Sequence, residues 1–141
     1  MDLKSMIEEL LAKGYEGGDW DYKSDYPNTA GEKLHDIFWM ANNLEDRDAC
    51  LIYGANDDGS VCGIENTERP RYKTADIIKF LRDKPFTGGY IPQVEAHTLK
   101  FQEHEADVPV IYRGIHTPYY LWKGWGNTHK LMLISVNTKS M

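Results

Sequence analysis

The sequence predicts an α+β fold. Helical apolar spacing recurs in three capped stretches, a continuous apolar run marks a buried strand, and turn-bounded strand segments gather toward the C-terminal half. Asp2 is placed to cap a first helix, in which Leu3, Met6, Ile7, Leu10 and Leu11 repeat at i, i+3, i+4, i+7 and i+8 before Gly14 stops it. After Gly17-Gly18, the segment WDYK (20–23) reads as a short strand. Thr29 and Glu32 form a capping box for a second helix over 30–43, with Leu34, Ile37, Phe38 and Ala41 on one face. Cys50 to Ala55 is apolar throughout, as expected of a central strand buried on both faces. Val61 to Ile64 is its expected hairpin partner, across Asn56-Asp57-Asp58-Gly59.

Residues 65–72 (ENTERPRY) are polar and carry Pro70, which predicts a loop. Thr74 is the expected cap of a third helix reaching Arg82, ended by Lys84-Pro85. Ile91 to Phe101 and Val108 to Tyr112 read as a hairpin around QEHEAD, with Pro109 placing the second strand near an edge. Residues 129–136 (HKLMLISV) predict a last strand. The whole chain, 1–141, reads as one domain, large enough for its own core.

With 41% hydrophobic and 27% charged residues, the composition is that of an ordinary soluble globular protein. No stretch approaches ~18 consecutive apolar residues, so no membrane span is expected. The start, MDLKSMIEELLAKG, is broken by acids and does not read as a signal peptide. Cys50 and Cys62 are too few for a disulfide framework and read as small core residues, which points to a cytoplasmic setting. The five histidines show no zinc spacing, and no phosphate-binding glycine loop is present.

Charge is unevenly spread. Residues 1–65 carry 15 acids against 5 bases, and residues 66–141 carry 7 against 11. Arg69, Arg71, Lys73, Lys79, Arg82 and Lys84 form the main basic cluster, and Trp122, Lys123 and Trp125 lie in a tail without acids after Arg113. Such a surface can hold a nucleic-acid strand by charge and by ring stacking, although the same residues also suit a solvated face and a core. The acids cluster where strands end: Glu16 and Asp21 bracket EGGDWD, and Asp57 and Asp58 lie in the turn. If WDYK pairs beside the central strand, these carboxylates converge on one sheet edge. An all-oxygen set of this kind suits Mg²⁺ or Mn²⁺, which can polarise a phosphodiester. Turn chemistry alone also accounts for Asp57-Asp58-Gly59.

In order, the chain presents Glu16, then Asp21-Tyr22-Lys23, a helix, and an apolar strand entering Gly54-Ala55-Asn56-Asp57-Asp58-Gly59. Val61-Cys62-Gly63-Ile64 follows, with Ile91-Pro92 and Thr117-Pro118-Tyr119-Tyr120-Leu121 further on. This pattern resembles the Schlafen AlbA-like domain family over roughly residues 14–123. The family was once grouped as a divergent AAA family, and many of its bacterial members carry only a DNA-binding or ATP-binding description. The resemblance implies an α+β fold and a role on RNA or DNA. In the best-understood animal members it implies a metal-dependent endoribonuclease acting on structured RNA such as tRNA. Carried over by motif, the catalytic and metal-binding acids are Glu16, Asp21, and Asp57 or Asp58, with Asp58 as the third metal ligand. Lys23 matches the family's lysine, which is either a phosphate contact or a solvated strand lysine; the nucleic-acid contacts expected from charge and aromatic residues are Arg69, Arg71, Lys73, Arg82, Lys84, Trp122 and Lys123. The chain departs from the pattern in having Asp21 where Glu is usual, and in lacking both the glycines before the central strand and the late Arg-x-Gly segment. Binding of RNA or DNA is the first expectation and metal-dependent RNA cleavage the second. The third is an interaction module, or homo-oligomer, paired through the edge near Pro109 or through the tail.

Overall fold

The computed structural model describes residues 2–114 and 118–121, and among these it has three α-helices and a four-stranded mixed sheet, an α+β arrangement. α1 spans Leu3–Lys13; the Asp2 carboxylate accepts the Ser5 N–H at 2.8 Å, and Gly14, at φ 71°, closes the helix onto the Leu11 carbonyl. β1 (Trp20–Lys23) runs parallel to β2 (Ala49–Tyr53), in register from Trp20–Cys50 to Lys23–Tyr53. A parallel pair needs a crossover, and α2 (Ala30–Ala41) supplies it, started by Thr29 Oγ1 accepting the Glu32 N–H.

β2 is buried along its whole length, and its two faces meet different partners. Cys50 and Ile52 pack with Ile7 of α1, Tyr22 and Val108. Ala49, Leu51 and Tyr53 pack with Leu34, Ile37 and Phe38 of α2 and with Ile77 and Leu81 of α3 (Thr74–Arg82). The sheet therefore lies between α1 on one side and α2 with α3 on the other. Each large apolar side chain in these layers contributes about 1.5–3 kcal/mol by leaving water.

The structure corrects several sequence expectations. Val61 to Ile64 does not form a strand: one bridge, Ala55–Val61, survives, and the Cys62 and Gly63 N–H groups both turn to the Gly54 carbonyl. The neighbours of β2 are instead β1 and β4 (His104–Tyr112). β4 pairs with β3 (Gln93–Phe101) as a long hairpin that turns tightly at Gln102-Glu103, where Gln102 takes φ 58°. QEHEAD is therefore mostly strand. The order β1-β2-β4-β3 puts Pro109 in a central strand, not near an edge. The ladder to β2 is made at Ala49–Ile111, Cys50–Val110 and Tyr53–Asp107 and lapses between them, around a residue with no N–H to give. Among the described residues the edges are β1 and β3, so the Pro109 strand is not the one that can pair subunits.

Thr74 does not cap α3. Lys73 holds the cap position, its N–H received by Asp76 Oδ2 at 2.9 Å, while Thr74 Oγ1 accepts the Ala96 N–H at 2.8 Å and ties the helix to β3. Asn42, after α2, pins residues 118–121 by exchanging hydrogen bonds with the backbone of Tyr119. Cys50 is buried and Cys62 partly so, both as free thiols; burial first, then Asp19, pushes the Cys50 thiol up to about 12. Among the described residues no helix is long and apolar enough to cross a membrane. The strand expected over 129–136 and the tail residues Trp122, Lys123 and Trp125 lie outside the described residues.

Candidate functional site

Glu16 and Asp21, five residues apart, meet at the outer edge of β1. The geometry follows from the EGGDWD turn. Gly17 N–H donates to the Trp20 carbonyl, which folds the loop back along the strand and carries Glu16 to the Tyr22 N–H. The Glu16 and Asp21 carboxyls lie within hydrogen-bonding reach of each other, which favours the protonated form of Glu16. That bond to Asp21, then loss of solvent, then repulsion from Asp21 and Asp57 push the Glu16 carboxyl up to about 7, against the pull of the Tyr22 N–H.

Lys23, two residues along, shares a face of β1 with Asp21. Its Nζ lies 3.2 Å from Asp21 Oδ2 and 3.6 Å from Asp36 Oδ1 on α2. Burial opposes its charge, but Asp36, Asp21 and Glu16 outweigh burial and raise its pKa. Asp36 is nearly buried, with its side chain 13% exposed; burial, together with Asp21, raises its pKa against the attraction of Lys23. Sequence reading missed Asp36. Its only signal was an acid three residues before the exposed Trp39 and directly beside the apolar stripe of α2.

The two adjacent turn carboxylates divide their roles. Asp58 Oδ1 accepts both Ser60 N–H, at 2.9 Å, and Ser60 Oγ, at 2.6 Å, and these bonds hold its pKa below the usual range. It shapes the turn. Asp57 is the one whose charge reaches Glu16. Close backbone packing delivers it there: Gly59, at φ 85°, sits so tightly on α1 that a Cβ would come 2.3 Å from the Leu11 carbonyl oxygen. The structure thus assigns the third-ligand position of Asp58 to turn-making and leaves Asp57 beside the pair. Among the described residues no three His, Cys, Asp or Glu side chains stand together at metal-ligand spacing. The donor chemistry still fits a hard cation. Mg²⁺ is commonly held by one or two carboxylates, with water and substrate phosphate completing its shell, and Glu16 and Asp21 provide that pair.

The basic cluster is not a single free surface. Arg71 grips the buried Asp107 through Nε at 2.9 Å and Nη2 at 2.6 Å, and reaches Glu105 through Nη1 at 2.8 Å. Tyr26 and Thr98 hydroxyls donate to the same Asp107, whose pKa these bonds hold down against burial. Arg69 donates to the Tyr26 carbonyl and to Asn28, and lies 3.6 Å from Asp25. Arg71 therefore holds the 65–72 loop to β4 and Arg69 holds it to the loop after β1, and both are committed before any phosphate arrives. Lys84 lies with its Nζ 4.3 Å from the Phe80 ring, which Lys33 also faces at 4.0 Å. Burial, then repulsion from Lys33, lowers the Lys84 pKa. Lys73, Lys79 and Arg82 remain exposed on and beside α3. Glu103 sits at the hairpin tip as expected, while His104 Nδ1 lies 2.7 Å from Glu65.

No family profile matches this chain, and neither a curated protein nor a solved structure does.

Proposed function

We propose that the protein acts on RNA or DNA as a divalent-cation-dependent phosphodiesterase centred on Glu16 and Asp21, with RNA, including structured RNA such as tRNA, as the favoured substrate class. The observation that carries this reading is the meeting of the Glu16 and Asp21 carboxyls on β1, an edge strand among the described residues. Two acids held this close store repulsion that a divalent cation would relieve. A Mg²⁺ or Mn²⁺ ion bound there supplies Lewis-acid polarisation of the phosphodiester and activation of water. The chain's own groups do the rest. Glu16 and Asp21 present oxygens, and Asp57 deepens the negative potential. Lys23 is ion-paired with Asp21 and Asp36 but keeps its side chain 34% exposed, so a free ammonium donor can reach a phosphate oxygen. With its pKa near 7, Glu16 is also poised to give or take a proton at neutral pH.

Incubation with tRNA and with single-stranded DNA, in Mn²⁺ or in EDTA, tests this. Cleavage is expected in Mn²⁺ only, and Asp21→Asn should abolish it. Absence of cleavage with every substrate in Mn²⁺ would remove the catalytic role. Binding without cleavage is the second reading, and the exposed Lys73, Lys79 and Arg82 favour it. Under that reading the same mixtures show retention in EDTA that falls steeply as salt rises.

A further inference from the structure

The solvent face of α2 carries a large unpaired ring. Trp39 is 51% exposed, and one such aromatic on a surface is ordinary. Its orientation is not. The indole lies within 6° of parallel to the imidazole of His35, one turn earlier, with ring centroids 6.5 Å apart. The two rings are therefore parallel and stacked one helical turn apart on the exposed face of α2. His35 also lines an open groove with Lys23, Glu32 and Asp36. Its Nδ1 lies 3.8 Å from Asp36 Oδ1, which lies 3.6 Å from Lys23 Nζ, which in turn is 3.2 Å from Asp21. From His35 a chain of charged groups, Asp36 and then Lys23, leads to Asp21 of the carboxylate pair.

We infer that His35 and Trp39 form a stacking platform for an unpaired nucleobase of the strand whose phosphate lies at Lys23, so that the substrate is single-stranded at the point of attack. This rests on the function proposed above and adds its specificity. The charges of the groove argue for a base beside His35. Among the described residues Lys23 is the one cation lining the groove and can hold a phosphate, whereas Glu32 and Asp36 next to His35 disfavour one. A base is neutral, and its exocyclic amino groups are donors that a carboxylate accepts. A paired base cannot reach the platform, because both of its faces are already stacked inside the duplex. Stacking on an aromatic ring is tolerant of base identity, so the platform selects strandedness rather than sequence.

The test compares the full chain with Trp39→Ala and Trp39→Phe. Mn²⁺-dependent cleavage is measured on a short single-stranded RNA and its duplex, and binding of the same labelled single strand is measured in Ca²⁺. Trp39→Ala should raise KM and Kd for the single strand about tenfold, as expected for losing one stack, with the loss falling on KM rather than kcat. The preference for single strand over duplex should fall in step, and Trp39→Phe should recover most of both. Unchanged KM and Kd in Trp39→Ala overturn the platform while leaving the nuclease reading intact. If wild type does not cleave, that reading fails by itself, and Kd alone decides the platform. An unchanged Kd with loss of a dimer on sizing would assign Trp39 to a subunit contact and equally overturn it.

Discussion

Replacing Glu16 by Gln removes one charge from the carboxyl pair while keeping a group that can donate to Asp21. In the wild type the Glu16 carboxyl titrates near 7 instead of 4.5, so between these values the native state holds a proton that the unfolded chain has released. A group shifted this way contributes stability at low pH and loses it as pH rises through about 7. The gap between the two values corresponds to about 3 kcal/mol for a pair shut away from water. Glu16 is exposed, and solvent screening reduces the figure to about 1 kcal/mol. Wild type should therefore lose about 1 kcal/mol between pH 5 and pH 8 that Glu16→Gln keeps, a relative change of about 3 °C in Tm for a domain of this size. Melts of both proteins at intervals across that range, in EDTA, read the difference. Mn²⁺ must displace the Glu16 proton, so it should stabilise the wild type more at pH 8 than at pH 6 and stabilise the variant little. Parallel pH curves for the two proteins would refute the raised Glu16 pKa, and with it the argument for a cation site.

The two turn acids should separate cleanly. Asp58→Ala should cost about 0.5–2 kcal/mol, by analogy with a lost side-chain cap, whereas Asp57→Asn should leave the melting temperature intact and reduce Mn²⁺-dependent stabilisation. Arg71→Met leaves Asp107 buried without its cation and should cost about 3–5 kcal/mol in urea unfolding. Because Asp107 is held below its usual pKa, the stability it contributes in the wild type is present above the ordinary carboxylate range and is lost in acid, so the variant should show a shallower acid transition. Lys79→Glu with Arg82→Glu should weaken nucleic-acid retention and flatten its salt dependence without loss of fold, read by filter binding across a salt series.

Local signals were legible where the chemistry is local. Asp2 with Gly14, the Thr29 cap and the apolar run of β2 each act within a few residues and formed as the pattern implies, although of the Thr29–Glu32 capping box only the bond from the Glu32 N–H to Thr29 Oγ1 is made. The approach of Glu16 to Asp21 was legible for the same reason, since one short loop and one strand place both. What the sequence hid depends on distant partners. Arg69 and Arg71 look like free cations in ENTERPRY, but the acids and carbonyls that claim them lie up to 43 residues away. Pro109 suggested an edge because it breaks a ladder; the sheet instead tolerates it centrally by leaving that stretch of ladder unmade. Asp57 and Asp58 are indistinguishable as a dipeptide, and only the folded turn, in which Asp58 is taken up by Ser60, tells them apart.

The parallel pairing of β1 and β2 has a kinetic consequence. The β3–β4 hairpin closes through a turn of two residues, so it can form early and locally. β1 has four residues, one sheet neighbour, and a pairing that waits for the whole of α2 to be laid across the sheet. Strands of that kind join late and open first. Amide protons of Asp21 and Lys23 should therefore exchange well before those of Val108 and Val110. The carboxylate pair, built on the last strand to dock, then exists only in chains whose folding is complete, and a partly folded chain carries the acids without the centre.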